Sequence, residues 1–90
     1  MSFTDAQLAT FLSDAFNKAS FIGERVDLAE AIVALPAGSA TTEQLKKIDD
    51  ALTKDLAYPR AGSDLQARIA VTLSTLHRHQ EVANMFEGKR

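Results

Sequence analysis

The sequence predicts an all-α protein, a compact four-helix bundle-like arrangement in a single domain over residues 1–90. Ninety residues are too few for two independent hydrophobic cores. Three observations favour helices. Apolar residues recur three and four positions apart, which is the period of a helix with one buried face. Four stretches begin with a capping residue that Gln or Glu follows three positions later. Every Gly and Pro falls where such a stretch begins or ends.

The first helix is predicted over residues 5–22. Thr4 is a good N-cap, and Gln7 completes a capping box with it. Gly23 suits the position just past a helix end. One apolar face follows the cap, with Leu8, Phe11, Leu12, Ala15, Phe16, Ala19 and Ile22 at helical spacing. Phe21 points away from that face, and we expect it to pack under the next turn.

The second helix is predicted over residues 28–35 and is short. Asp27 and Glu30 repeat the capping-box pattern, and Pro36 ends the helix. The residues between them are apolar nearly all round, which is typical of a helix that its neighbours enclose on most sides. We therefore expect this helix to be central and buried.

The third helix is predicted over residues 42–57, with Thr41 and Gln44 as its capping box. Its apolar line is narrow, so the sequence predicts a solvated helix lying across the others. That line consists of Leu45, Ile48, Leu52 and Leu56, and the nearby carboxylates, which we expect to be solvated, are Asp49, Asp50 and Asp55.

The fourth helix is predicted over residues 64–87, capped by Ser63 with Gln66 and ended by Gly88. At 1.5 Å per residue its 24 residues would span about 36 Å, longer than the other helices. Its main apolar stripe consists of Leu65, Ile69, Leu73, Leu76 and Ala83. These side chains are enough for the fourth helix to pack into one hydrophobic core.

The fourth helix carries a second line of mostly apolar residues, and packing into a single core does not explain it. Two lines on one helix mean either burial between several neighbours or an exposed apolar strip that another chain covers. Both interpretations stay open from the sequence. The line carries Val71, Thr75, Val82, Met85 and Phe86, with Arg78 in its middle.

The chemistry-bearing residues are few. His77 and His79 are two residues apart, about 200° on a helix, so they cannot hold one metal ion together. His77 and Glu81 could supply two ligands, but two ligands do not make a zinc site. We expect both histidines to lie on the helix surface. No cysteine is present, which excludes disulfides and thiol catalysis, and no cofactor motif is evident.

The sequence therefore predicts a non-enzymatic helical protein that acts on another protein chain, itself or a different one, as an adaptor, regulator, inhibitor or assembly component. A cytoplasmic location is expected, or the host-cell cytoplasm if a phage encodes it, with no membrane helix. One alternative is a metal protein or enzyme around His77 and Glu81. Another is nucleic-acid binding, which the net charge of −2 disfavours, through Lys46, Lys47, Arg68, Arg78, Lys89 and Arg90.

Overall fold

A computed structural model of the chain describes residues 2–57 and 62–87. Within these residues there are four α-helices and no strand, so the all-α fold class is confirmed. The helices are α1 (Asp5–Lys18), α2 (Ile22–Val33), α3 (Thr42–Leu56) and α4 (Ser63–Glu87). None of the four combines the length and the apolar character that crossing a bilayer requires.

Two of the predicted N-caps are confirmed in full. The Thr4 hydroxyl accepts a hydrogen bond from the backbone N–H of Gln7 at 3.1 Å, and the Gln7 side chain accepts one from the Thr4 N–H at 2.9 Å. Thr41 and Gln44 make the same reciprocal pair at the start of α3. Each box satisfies two N–H groups that the helix itself leaves without a partner.

The boundary between the first two helices differs from the prediction of 5–22 and 28–35. α1 ends at Lys18, because Ala19 is extended with φ −70° and ψ 133°. α2 already begins at Ile22, so Gly23 lies in its first turn. Apolar residues continue at helical spacing across this break, and periodicity therefore cannot detect it. Asp27 lies in mid-helix, where its carboxylate binds a neighbouring helix instead of capping α2.

The other two helices begin and end within one residue of the predicted bounds of 42–57 and 64–87. α4 has 25 residues and is the longest of the described helices, as predicted, while α2 with 12 is the shortest. Gly88, the predicted stop of the fourth helix, lies outside the described residues.

The helices form a flat molecule measuring 41 × 30 × 17 Å. α2 packs against the three other helices, whereas no Cα atom of α1 lies within 8 Å of a Cα atom of α4. α3 runs antiparallel to α4, because Thr42 lies beside Glu87 and Asp49 lies beside Gln80. An edge helix such as α4 has only α2 and α3 as neighbours, so a wide part of its surface faces outward.

The predicted apolar lines of α3 and α4 are in the core. Leu45, Ile48 and Leu52 are buried on α3, and the buried stripe of α4 includes Ile69, Leu73, Leu76 and Ala83. α2 is less enclosed than its composition predicts. It buries one face, formed by Val26, Ala29 and Ile32, and leaves Ala31 exposed.

The predicted face of α1 is rotated in the structure. Ala9, Ser13 and Phe16 are its buried residues, while Phe11 is exposed. The Phe11 ring packs instead edge-to-face against the exposed ring of Phe3, with centroids 5.2 Å apart and planes at 80°. Phe21 is exposed as well, so the prediction that it packs under a turn is wrong.

Candidate functional site

The α4 strip is the name used here for Val71, Thr75, Arg78, Val82, Met85 and Phe86. The structure leaves three of its four apolar side chains in solvent: Val71 is 68%, Met85 62% and Phe86 64% exposed. Thr75 and Val82 are half-buried, and Arg78 is exposed. The second apolar line of α4 is therefore a surface feature and not part of the core.

The core is complete without the α4 strip. Ile69, Leu73, Leu76 and Ala83 bury the stripe of α4 that faces inward. The next positions round the helix toward α2 are also buried and are occupied by polar side chains, Thr72 and His79. No neighbour among the described helices is left to cover the outer side of α4, because α1 does not reach it.

The α4 strip has a regular spacing. Val71, Thr75, Arg78, Val82 and Met85 follow one another at intervals of four, three, four and three residues. That alternation is the spacing of the contact positions in a coiled coil. It keeps the side chains on one nearly straight line along the helix. From the first to the last of these residues the rise is about 21 Å, or about four turns.

α2 lies beside the first half of the α4 strip. Arg68, one turn before the strip, binds Asp27 at 2.6 Å and also Glu30. Ala31 and Ala34 follow those two acids by four residues, so they lie on the same side of α2, toward α4. Both alanines are exposed. Their small side chains leave the strip open on this side.

The end of the strip rests on the loop between α2 and α3. A Cβ added at Gly38 would lie only 3.0 Å from Cε2 of Phe86, and Gly38 has a φ of +95°. Glycine is favoured here because other residues rarely adopt this φ, and any side chain at this position would also push the Phe86 ring by a few tenths of an ångström. Phe86 is thus positioned by the loop while most of its ring faces solvent.

Arg78 differs from the two other arginines that the structure describes. Arg25 is bound by Asp55, and Arg68 by Asp27 and Glu30. The hydrogen bonds that Arg25 donates to Asp55, and that Arg68 donates chiefly to Glu30, raise the pKa of both guanidiniums. In residues 2–57 and 62–87 no carboxylate or other hydrogen-bond acceptor binds Arg78. The middle of the α4 strip therefore carries an unpaired positive charge.

The histidines are placed differently from each other. His77 is exposed, with Nε2 3.3 Å from Oδ2 of Asp49, and the same oxygen accepts a hydrogen bond from Gln80 at 3.1 Å. This arrangement links α4 to α3. Among the described residues no three His, Asp or Glu side chains are grouped so that they could hold a metal ion, and Glu81 does not extend the His77 pair into such a group.

The prediction that His79 lies on the helix surface is wrong. It is buried, and this burial lowers its pKa. The position follows Thr72 by seven residues and Leu76 by three, both buried. The inward face of α4 is thus wider than the line of its aliphatic residues. A wider angular window around that line, with polar residues included, could have detected this.

Asp55 is also buried, which corrects the prediction of a solvated carboxylate on α3. Its two oxygens accept hydrogen bonds from Arg25, from Nε to Oδ2 and from Nη2 to Oδ1, both at 2.7 Å. Arg25 Nη1 donates in addition to the carbonyl of Ala19 at 3.3 Å. Sequence reasoning missed this pair because its members are 30 residues apart and no local pattern links them.

The basic residues considered for nucleic-acid binding have different surroundings. Lys46 and Lys47 lie on α3, where Lys47 is 3.8 Å from Glu43. Arg68 is bound to α2, and Arg78 lies ten residues further along α4. Lys89 and Arg90 are outside the described residues.

Comparison with known proteins finds no family model, no curated protein and no solved structure that matches the chain.

Proposed function

We propose that this chain is a non-enzymatic protein-interaction domain that binds another protein chain through the α4 strip, with the cytoplasm as its expected location. It would act there as an adaptor, regulator, inhibitor or assembly component. The observation that carries the proposal is the exposure of Val71, Met85 and Phe86 on the outer side of an edge helix whose core face is already filled.

Burial of these three side chains against a partner would be energetically favourable. Full burial of an aliphatic or aromatic side chain contributes roughly 1.5–3 kcal/mol, and these three are still about two-thirds exposed. Exposed apolar side chains that share one face of a helix can mark an interaction site. Aromatic residues, Met and Arg are enriched at protein interfaces, and the α4 strip contains one Phe, one Met and one Arg.

A photo-crosslinking amino acid placed singly at Val71 or Met85 would test the proposal in cells that make the protein. We expect both positions to form a crosslinked product with a protein chain, either a second copy or a different protein. The same amino acid at Lys54, an exposed position on α3, is the matched control and should give no such product. Equal yields at all three positions, or no product at Val71 and Met85, would refute the proposal.

Charge substitutions provide a second readout. Met85→Glu and Val82→Glu should abolish the crosslink from Val71, because a carboxylate in a desolvated interface is costly. Circular dichroism should show the helical content retained. Val82 is half-buried, so the exposed Met85 is the safer site for separating loss of binding from loss of fold.

A further inference from the structure

We propose that the partner of the α4 strip is an amphipathic helix of a different protein, with an acidic residue in the middle of its apolar face that pairs with Arg78. The inference rests on the proposed function, namely that the strip binds a protein chain, and it specifies the chemistry of that chain.

The spacing of the α4 strip fits a helix. Its contact positions alternate by three and four residues over about four turns, and a second helix presents side chains to such a line at the same intervals. Beside the strip, α2 exposes the small residue Ala31, and its C-cap residue Ala34 is exposed as well. A partner helix could approach α4 closely on that side, packing its apolar residues against Thr75 and Val82. An extended strand repeats every two residues and would not match this line.

The charge at the centre requires an acid. Arg78 is exposed and makes no ion pair among the described residues, whereas Arg25 and Arg68 are each held by carboxylates through two or more hydrogen bonds. A partner that covers the strip removes water from around Arg78, and an unpaired buried guanidinium is strongly unfavourable. A carboxylate opposite it would form the same paired hydrogen bonds that this molecule uses twice internally.

A second copy of this chain does not meet that requirement. Arg78 stands seven residues after Val71 and seven before Met85, so it is the centre of the line. In a two-fold dimer through the strip, parallel α4 helices place every residue of the line opposite its own copy, and antiparallel helices that cover the whole line place its central residue opposite its own copy. Arg78 would then face the Arg78 of the second copy. Glu81, the next carboxylate along α4, is three residues from Arg78 and about 60° round the helix from it, so it flanks the line and does not lie on it. Like charges in a desolvated contact oppose association.

Three synthetic helical peptides would test this directly. Each has leucines at the alternating contact positions over four turns, with Glu, Gln or Lys at the central contact position, and is otherwise identical. Fluorescence anisotropy measures their binding to the wild-type protein and to Arg78→Glu, with circular dichroism to confirm the fold. The wild type should bind the Glu peptide at least about tenfold more tightly than the Lys peptide, with Gln between them.

Arg78→Glu should reverse that order, and Lys54→Glu on α3, the matched surface control, should leave it unchanged. Equal affinity for the three peptides would overturn the pairing of Arg78 with an acid while leaving the strip as a binding surface. Sedimentation of the wild type as a dimer that Met85→Glu dissociates would make the second copy the occupant and overturn the inference, with the proposed function retained. Failure of all three peptides to bind would also overturn it, and crosslinking from Val71 and Met85 then decides the proposed function separately.

Discussion

Arg25 on α2 and Asp55 on α3 are joined by two parallel hydrogen bonds of 2.7 Å, although 30 residues separate them in the chain. Their side chains are only 19% and 12% exposed. The guanidinium also donates to the Ala19 carbonyl just after α1, so one side chain connects three helices at one end of the molecule. An ion pair with such short hydrogen bonds and so little solvent exposure holds the helices in one relative position.

Removing one member of the pair should therefore destabilise the fold. Asp55→Asn keeps the shape of the side chain but leaves Arg25 with an uncompensated, mostly buried charge, and we expect it to lower the free energy of unfolding by about 3 kcal/mol. Denaturant unfolding followed by circular dichroism measures this loss. The double variant Arg25→Met with Asp55→Leu should cost less than Asp55→Asn, because no charge is left without a partner. A double variant that costs as much as the single changes Arg25→Met and Asp55→Leu added together would contradict this explanation.

The core of α4 can be tested by a leucine truncation. Leu73→Ala removes a buried side chain, and such changes cost about 2–5 kcal/mol. Asp50→Ala on the exposed side of α3 should change the free energy of unfolding by no more than about 0.5 kcal/mol. Urea titration of both variants beside the wild type gives the comparison. If Asp50→Ala were the more damaging change, the faces assigned to α3 and α4 would be wrong.

His79 should make the stability depend on pH. Burial lowers the pKa of His79 in the folded protein, whereas in the unfolded chain the side chain has the usual histidine pKa of about 6.5. Between those two values the unfolded state binds more protons, so the free energy of unfolding falls as the pH drops below about 6.5. Above that pH the contribution of the neutral imidazole is fully present, and below the folded pKa no further loss is expected from this group.

The measurement is denaturant unfolding between pH 8 and pH 5, a window set by the usual histidine pKa of about 6.5. His79→Gln should flatten the dependence and, since it alters a buried position, should itself cost about 1 kcal/mol or more. His77→Gln on the exposed face is the control for losing one histidine, and it should leave the His79 dependence in place. The same slope in wild type and His79→Gln would show that other groups cause it.

Local patterns were enough to predict much of the fold. The capping boxes at Thr4 and Thr41 depend on side chains three residues apart. The narrow apolar line of α3 depends on residues about one helical turn apart. Such features are complete within a few residues, so the sequence determines them without knowledge of the neighbours. The same local patterns could not predict the break between α1 and α2. Apolar spacing continues through it, and the Asp27–Glu30 pattern resembles a cap but binds Arg68 of α4.

By itself, the sequence determined the class of fold, the long fourth helix and the presence of two apolar lines on it. The tertiary structure alone decided which of these lines is buried. A side chain is covered only if another helix lies against it, and α4 has two neighbours among the described helices. The same reason explains why His79 and Asp55 are buried while Phe11 and Phe21 are exposed. Burial depends on the arrangement of all four helices in space, which no window of the sequence contains.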